Sequence, residues 1–157
     1  MTDNGNPAPE RSQTVVAYVC VHDAAQAIDF YTKAFGATET GTRITDSKGR
    51  VGHAQVRIGD STVMLADEHP EHGFQGPLSL GGCPVLFMLN VPDVDTSVAR
   101  AVAAGGRLTR PIANQFYGDR TGEVTDPFGY RWYLSTHVEA VSEEEMLRRA
   151  AEREKSR

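Results

Sequence analysis

Three short stretches hold side chains whose types and spacing suit chemistry. In HAQVRI, His53, Gln55 and Arg57 alternate with Ala54, Val56 and Ile58. A strand turns alternate residues to opposite faces, so an imidazole, an amide and a guanidinium share one face. That set can hydrogen-bond an organic ligand, pair with an anion or, through His53, transfer a proton; His53 equally suits a hydrogen-bonded structural role. In GYRWYLSTHVE, Arg131 and Tyr133 point one way and Tyr130, Trp132 and Leu134 the other. In FYGDRTG, Phe116 and Tyr117 form an aromatic lip ahead of Gly118, Asp119 and Arg120, whose charges pair with each other or with a ligand.

Other donors are less well placed. His69, Pro70, Glu71 and His72 run together, but Pro70 and the surrounding loop composition give a metal no rigid scaffold, so a solvated loop is the expectation. Cys20 has only His22 beside it and sits in an apolar run, which favours an inert thiol over a nucleophile. His137 and Glu139 end the last strand and read as its hydrogen-bonded terminus.

The elements that carry these residues follow from periodicity. After a polar stretch expected to be disordered over residues 1–12, VVAYVCV reads as a buried strand. Ala24, Ala27, Ile28, Tyr31 and Phe35 then recur at helical spacing up to a stop at Gly36. Residues 38–50 hold a strand and a Ser47-Lys48-Gly49 turn, and Gly59-Asp60 joins HAQVRI to STVMLA as a hairpin. The second half repeats this order: Val21-His22-Asp23 returns 70 residues later as Val91-Pro92-Asp93, and the closing hairpin returns after 69. The reading is α+β, with two tandem βαβββ modules at 14–67 and 83–139 joined by a linker at 68–82 and forming a curled mixed sheet. A C-terminal helix over 141–155 follows, with Ser142 and Glu145 as its capping box, Glu144–Arg148 and Glu145–Arg149 as pairs, and a packing edge of Met146, Leu147 and Ala150.

Composition excludes whole classes of function. A net charge of -5 and the lack of a dense basic run argue against a nucleic-acid partner. No apolar stretch approaches a membrane span, and two cysteines in apolar settings do not make a disulfide framework; a cytoplasmic protein is expected.

AAQAIDFYTKAFGA, HAQVRIGDSTVMLADE, FYGDRTGEVTDPFGYRW and LSTHVE resemble the vicinal oxygen chelate superfamily, which contains glyoxalase I, bleomycin-resistance proteins and extradiol dioxygenases. The likeness runs from about Thr14 to Glu139 and is strongest to small glyoxalase-like proteins without a defined reaction. It implies sheets that curl into a cup, and often a homodimer. Metal-using members place a His seven residues before the helix-opening Asp and a Glu in the last strand of a module; the matching positions here are Val16, Leu86, Met64 and Tyr133. No metal and no other cofactor is therefore expected. Strand parity lines the cup with Tyr18, His53, Gln55, Arg57, Met64, Met88, Tyr117, Arg131 and Tyr133, accompanied by Val16, Cys20, Leu86 and Asn90. This mixture of soft apolar groups, rings and a few donors suits an organic ligand. The expectation is a metal-independent small-molecule-binding protein that sequesters an antibiotic or metabolite in a cup between modules. The alternative is an enzyme of this superfamily: a metal-dependent lyase, isomerase or dioxygenase, or a metal-free acid–base catalyst using His53 or Tyr133. Whether the modules pair within the chain or between subunits is open.

Overall fold

Two helix starts explain the repeat in physical terms. Asp23 and Asp93 have extended backbones (φ -150° and -146°), and their carboxylates accept the Gln26 and Thr96 N–H groups. Each thus caps a helix immediately after a strand. The computed structural model describes residues 13–157, and the expected disordered stretch at 1–12 lies outside the described residues. The first module is β1 (Ala17–Val21), α1 (Ala24–Phe35), β2 (Thr38–Thr45), β3 (Val51–Ile58) and β4 (Ser61–Asp67). A linker carries a 3-10 turn, Pro70–His72, and a single-turn helix α2, Pro77–Leu80. The second module is β5 (Leu86–Asn90), α3 (Val94–Ala103), β6 (Arg107–Asn114), β7 (Asp119–Thr125) and β8 (Arg131–His137), and α4 (Glu143–Lys155) ends the chain.

The strands form two four-stranded sheets, ordered β1-β4-β3-β2 and β5-β8-β7-β6. In each, the first strand runs parallel to the last, and the remaining pairs are antiparallel. Register confirms the repeat at the level of single residues. Tyr18 lies opposite Met64 in the first sheet and Met88 opposite Tyr133 in the second, so sequence offsets of 70 and 69 lead to the same cross-strand pair. The curled mixed sheet is thus divided into two halves that share no hydrogen-bonded strand pair among the described residues.

One face of each sheet is buried against a shared helical layer. Val19, Val56 and Leu65 of the first sheet and Val124, Trp132 and Leu134 of the second join Ala27, Tyr31, Val98 and Ala101 in one core. Helix α1 is the element that serves both modules. Tyr31 and Phe35 on it meet the Trp132 ring at 5.4 and 4.7 Å between centroids. Beneath them Asp126, buried, gathers four donors. The Tyr31 hydroxyl and Trp132 Nε1–H donate to its Oδ2 at 2.7 and 2.9 Å, and the Phe128 and Tyr130 N–H groups to its Oδ1, both at 2.9 Å. Burial pushes this carboxyl above its usual range while the four donors pull it back. Tyr130 makes a second tie between modules: its hydroxyl accepts the Cys20 N–H and donates to the Cys20 carbonyl, each at 3.0 Å. A side chain thereby stands in for a strand neighbour at the otherwise free edge of β1.

Helix α4 differs in detail from expectation. Ser142 caps it, accepting the Glu145 N–H, and Arg149 pairs with Glu145 as expected. Arg148, however, turns to Glu145 and Glu152 and not to Glu144. Leu147 is 64% exposed. The helix is held by polar contacts, with Arg149 reaching Glu139 and the Phe116 carbonyl and Arg153 lying over the Phe116 ring at 5.2 Å.

Candidate functional site

The face of each sheet turned away from the core carries the candidate residues. On the first sheet, β1, β4 and β3 set Tyr18 beside Met64, Met64 beside Gln55, and Thr62 beside Arg57. His53 follows two residues before Gln55 on the same face, where its Nδ1 lies 2.9 Å from the Tyr18 hydroxyl. The Gln55 amide donates to Thr40 Oγ1 at 3.1 Å, and Arg57 donates to the Gly59 carbonyl at 3.0 Å. On the second sheet, Leu86 lies beside Arg131 and Met88 beside Tyr133. The Tyr133 hydroxyl is 2.8 Å from Thr121 Oγ1 and 3.2 Å from the Tyr117 hydroxyl. Burial and the bond to Tyr133 push the Tyr117 phenol up to about 12. The structure therefore gathers Tyr18, His53, Gln55, Arg57 and Met64 on one face and Met88, Tyr117, Arg131 and Tyr133 on another. The hydrogen bonds at these residues run within each face, from Tyr18 to His53 on the first and from Tyr133 to Tyr117 and Thr121 on the second.

Arg131 is not free to receive an anion. Its Nε and Nη2 both donate to the Glu123 carboxylate at 3.0 Å, Thr109 Oγ1 adds a third bond at 2.9 Å, and Arg110 approaches at 3.3 Å. The Arg131 guanidinium holds the Glu123 carboxyl below its usual range. Sequence reasoning passed over Glu123, although it lies directly across from Tyr133 in the β7–β8 ladder and counting back through the hairpin would have found it. Asp119 and Arg120 do not pair with each other. Asp119 accepts Ser135 Oγ and sits 3.0 Å from His137 Nδ1, whereas Arg120 forks onto Asp95 at 2.7 and 2.9 Å. Their side chains leave adjacent strand positions on opposite faces, which the β period of two requires.

Cys20 is the inert thiol expected but not an open residue of the cup lining. It shares the parity of Tyr18, yet it is buried, because the linker returns across it. A Cβ at Gly76 would lie 2.8 Å from the Cys20 carbonyl oxygen, so only glycine lets the chain pass so close. Burial, then Glu68 and Asp67, push the Cys20 thiol up to about 11, the reverse of what a nucleophile needs. His22 instead lies against the Phe128 ring, tilted by 37° with 5.2 Å between centroids.

A divalent ion of the kind used by metal-dependent relatives finds no donor set at the matching positions. Val16, Leu86 and Met64 offer no imidazole or carboxylate, and the Tyr133 hydroxyl is engaged by Thr121 and Tyr117. Glu123, the nearest carboxylate across the ladder, is occupied by Arg131 and Thr109. Among the described residues no group of three His, Cys, Asp or Glu is placed to hold a metal ion. In the linker, the Glu71 carboxylate is taken up by Arg50 at 3.0 Å.

Comparison with known proteins agrees with this geometry at the level of fold. The family model described as the Glyoxalase/Bleomycin resistance protein/Dioxygenase superfamily matches residues 12–134. An uncharacterized protein of Mycobacterium tuberculosis is 44% identical over 132 residues, covering 82% of this chain and 77% of the relative. Among solved structures, TioX from Micromonospora sp. ML1 superposes with a TM-score of 0.62 at 25% identity, covering 81% of this chain and 100% of that one. A gene product of Arabidopsis thaliana gives a TM-score of 0.64 at 28% identity, with coverage of 78% and 98%.

Proposed function

We propose, for a chain that belongs to the Glyoxalase/Bleomycin resistance protein/Dioxygenase superfamily, that it binds an organic small molecule, without a resident metal, in a cup that two copies complete. One observation carries this reading. The two candidate faces stay open, with Tyr18 45%, Leu86 40% and Met88 58% exposed, while on the opposite faces Val19 and Val21 of β1 are buried and Phe87 and Leu89 of β5 are partly buried against the core. Rings, methionines and leucines on open sheet faces call for a cover. A second copy supplies it economically: laying the first sheet of one protomer over the second sheet of its partner creates two equal cups about a two-fold axis. The family's bleomycin-resistance members lend the idea of sequestering an antibiotic or metabolite. Arg57, which makes no ion pair among the described residues, is the group available to an anionic substituent. Free thiols at Cys20 and Cys83 suit the cytoplasm, where the protein is placed in this reading.

A second reading, metal-free acid–base catalysis, draws on the 2.9 Å contact between His53 and Tyr18, in which the phenol orients the imidazole. Three measurements separate the readings. Sedimentation at micromolar concentration is expected to give a dimer; thermal shift against a panel of aromatic natural products is expected to find a stabilising compound that is recovered unchanged. Elemental analysis after dialysis is expected to give no stoichiometric metal. A monomer, or a panel with no stabilising member, sinks the binding cup; turnover of a stabilising compound that disappears in His53→Ala supports the second reading.

A further inference from the structure

We infer that the linker builds an aromatic slot on the first sheet and that this slot receives a planar aromatic ring system. The inference rests on the small-molecule reading above and names the class of group bound at one end of that face. A short turn makes the outer wall. The His69 N–H donates to the Phe74 carbonyl at 2.8 Å and the Phe74 N–H to the His69 carbonyl at 3.1 Å, while Gly73 takes the left-handed conformation (φ 71°) that closes the loop. The returning chain is pressed to β1 by the bond from Gly76 N–H to Glu68 Oε1 at 2.8 Å and by the close pass over Cys20. His69, His72 and Phe74 are thereby held above the end of the sheet.

The slot is an open recess of about 400 Å³ bounded by Tyr18, Gly52, Ala66, His69, His72 and Phe74. Its floor is made of the two smallest residue types, which leave a flat surface. Its walls are rings: Phe74 meets Tyr18 edge-on at 5.8 Å, and the His69 and His72 rings lie near-parallel at 6.5 Å. No carboxylate, ammonium or guanidinium lines it. Aromatic walls at offset and edge-on angles favour another ring over a saturated body of equal size, because edge and face carry opposite partial charges. The volume falls in the range of small-molecule pockets. The Tyr18 hydroxyl and His53 at its mouth offer one hydrogen-bonding position to a substituent.

The test uses the full chain with 2-naphthol as the planar probe and decahydro-2-naphthol as its saturated counterpart, each titrated into 15N-labelled protein. The expected result is that 2-naphthol shifts the amides near Gly52, Ala66 and His69 to Phe74, and that the saturated alcohol does not. Phe74→Ala and Tyr18→Leu should each weaken 2-naphthol about tenfold, while Tyr18→Phe, which keeps the ring, and Lys33→Ala, on the exposed side of α1, should change it less than about threefold. Retained amide dispersion in each variant shows that the fold survives. Equal binding of both alcohols, shifts confined to the second sheet, undiminished binding in Phe74→Ala, or no binding of 2-naphthol overturns the slot. A natural product that stabilises wild type and Phe74→Ala equally would leave the small-molecule reading standing and remove only this inference.

Discussion

Asp126→Asn tests what fixes the two candidate faces relative to each other. Asp126 joins Tyr31 of the first module to Trp132 of the second, with four donors on two oxygens. In the variant, the single carbonyl oxygen is needed by the Phe128 and Tyr130 N–H groups, so the new NH2 faces Tyr31 and Trp132. The Tyr31 hydroxyl can rotate and accept, but an indole N–H only donates. One buried donor is left facing another, which costs about 1–3 kcal/mol. Flipping the amide would strand two backbone N–H groups instead of one, so no rotamer escapes the loss. The assay is urea unfolding at pH 7, with a lower midpoint at unchanged slope as the expected result. Trp132→Phe supplies the decisive background: with the indole N–H gone, adding Asp126→Asn should cost less than it does in wild type by a coupling of about 0.5–3 kcal/mol. A variant within about 0.5 kcal/mol of wild type, or strictly additive penalties, would refute the reasoning.

Three further outcomes follow from the geometry. Because Arg131 holds the Glu123 carboxyl below the ordinary value of 4.5, its contribution is present above that pH and is lost as pH falls through the lower folded value. Urea midpoints from pH 6 down to about pH 3 should therefore fall more steeply for wild type than for Glu123→Gln, and parallel curves would contradict this. Gly118 has φ 102°, and a Cβ there would overlap the Glu139 carbonyl oxygen. Gly118→Ala should cost about 1–3 kcal/mol, a Tm drop of roughly 2–12 °C, and should loosen the Tyr117–Tyr133 contact; an unchanged Tm speaks against it. Arg149→Ala removes the bonds to Glu139, Glu145 and the Phe116 carbonyl, so amide exchange in α4 should quicken about tenfold while the sheets keep their protection; equal exchange in α4 would show that other contacts hold the helix.

Local rules made most of the fold legible. Asp23 and Asp93 announced helix starts because a short carboxylate can accept the N–H three residues on, and alternation in HAQVRI and RWYLS assigned buried and open faces because the strand period is two. The repeat matched positions between modules, since offsets of 70 and 69 place Met88 and Tyr133 where Tyr18 and Met64 stand, and the structure pairs each set across its strands. What escaped was non-local. Helix α1 serves both modules through Tyr31 and Phe35, whose helical spacing declares a buried face but not its partner. Arg120 meets Asp95 from 25 residues away, and Phe74 covers Tyr18 only because a loop of unremarkable composition folds back at Gly73 and Gly76. Glu123 lay within reach of the hairpin count, but in DRTGEVT charged, hydroxyl and apolar residues are mixed without alternation, so it carries no periodic signal.

The charges on the open faces constrain which ligands such a cup would select. Where metal-dependent relatives carry a carboxylate, this chain has Met64 and Tyr133, and each has a soft or aromatic partner across the ladder in Tyr18 and Met88. The strongest charges nearby are paired: Glu123 takes donors from Arg131 and Thr109, with Arg110 3.3 Å away, so neither the carboxylate nor the Arg131 guanidinium is exposed as a bare ion. Replacing that neutralised pair with a ligand's own charge would require breaking bidentate, charge-assisted bonds, a loss that a single new ion pair does not offset. Polarizable surface with a few neutral hydrogen-bonding groups remains at the centre, and Arg57 stands apart at the hairpin end of the first sheet. Recognition in such a cup would come from shape, ring contacts and one or two hydrogen bonds, with any anionic substituent directed outward toward Arg57.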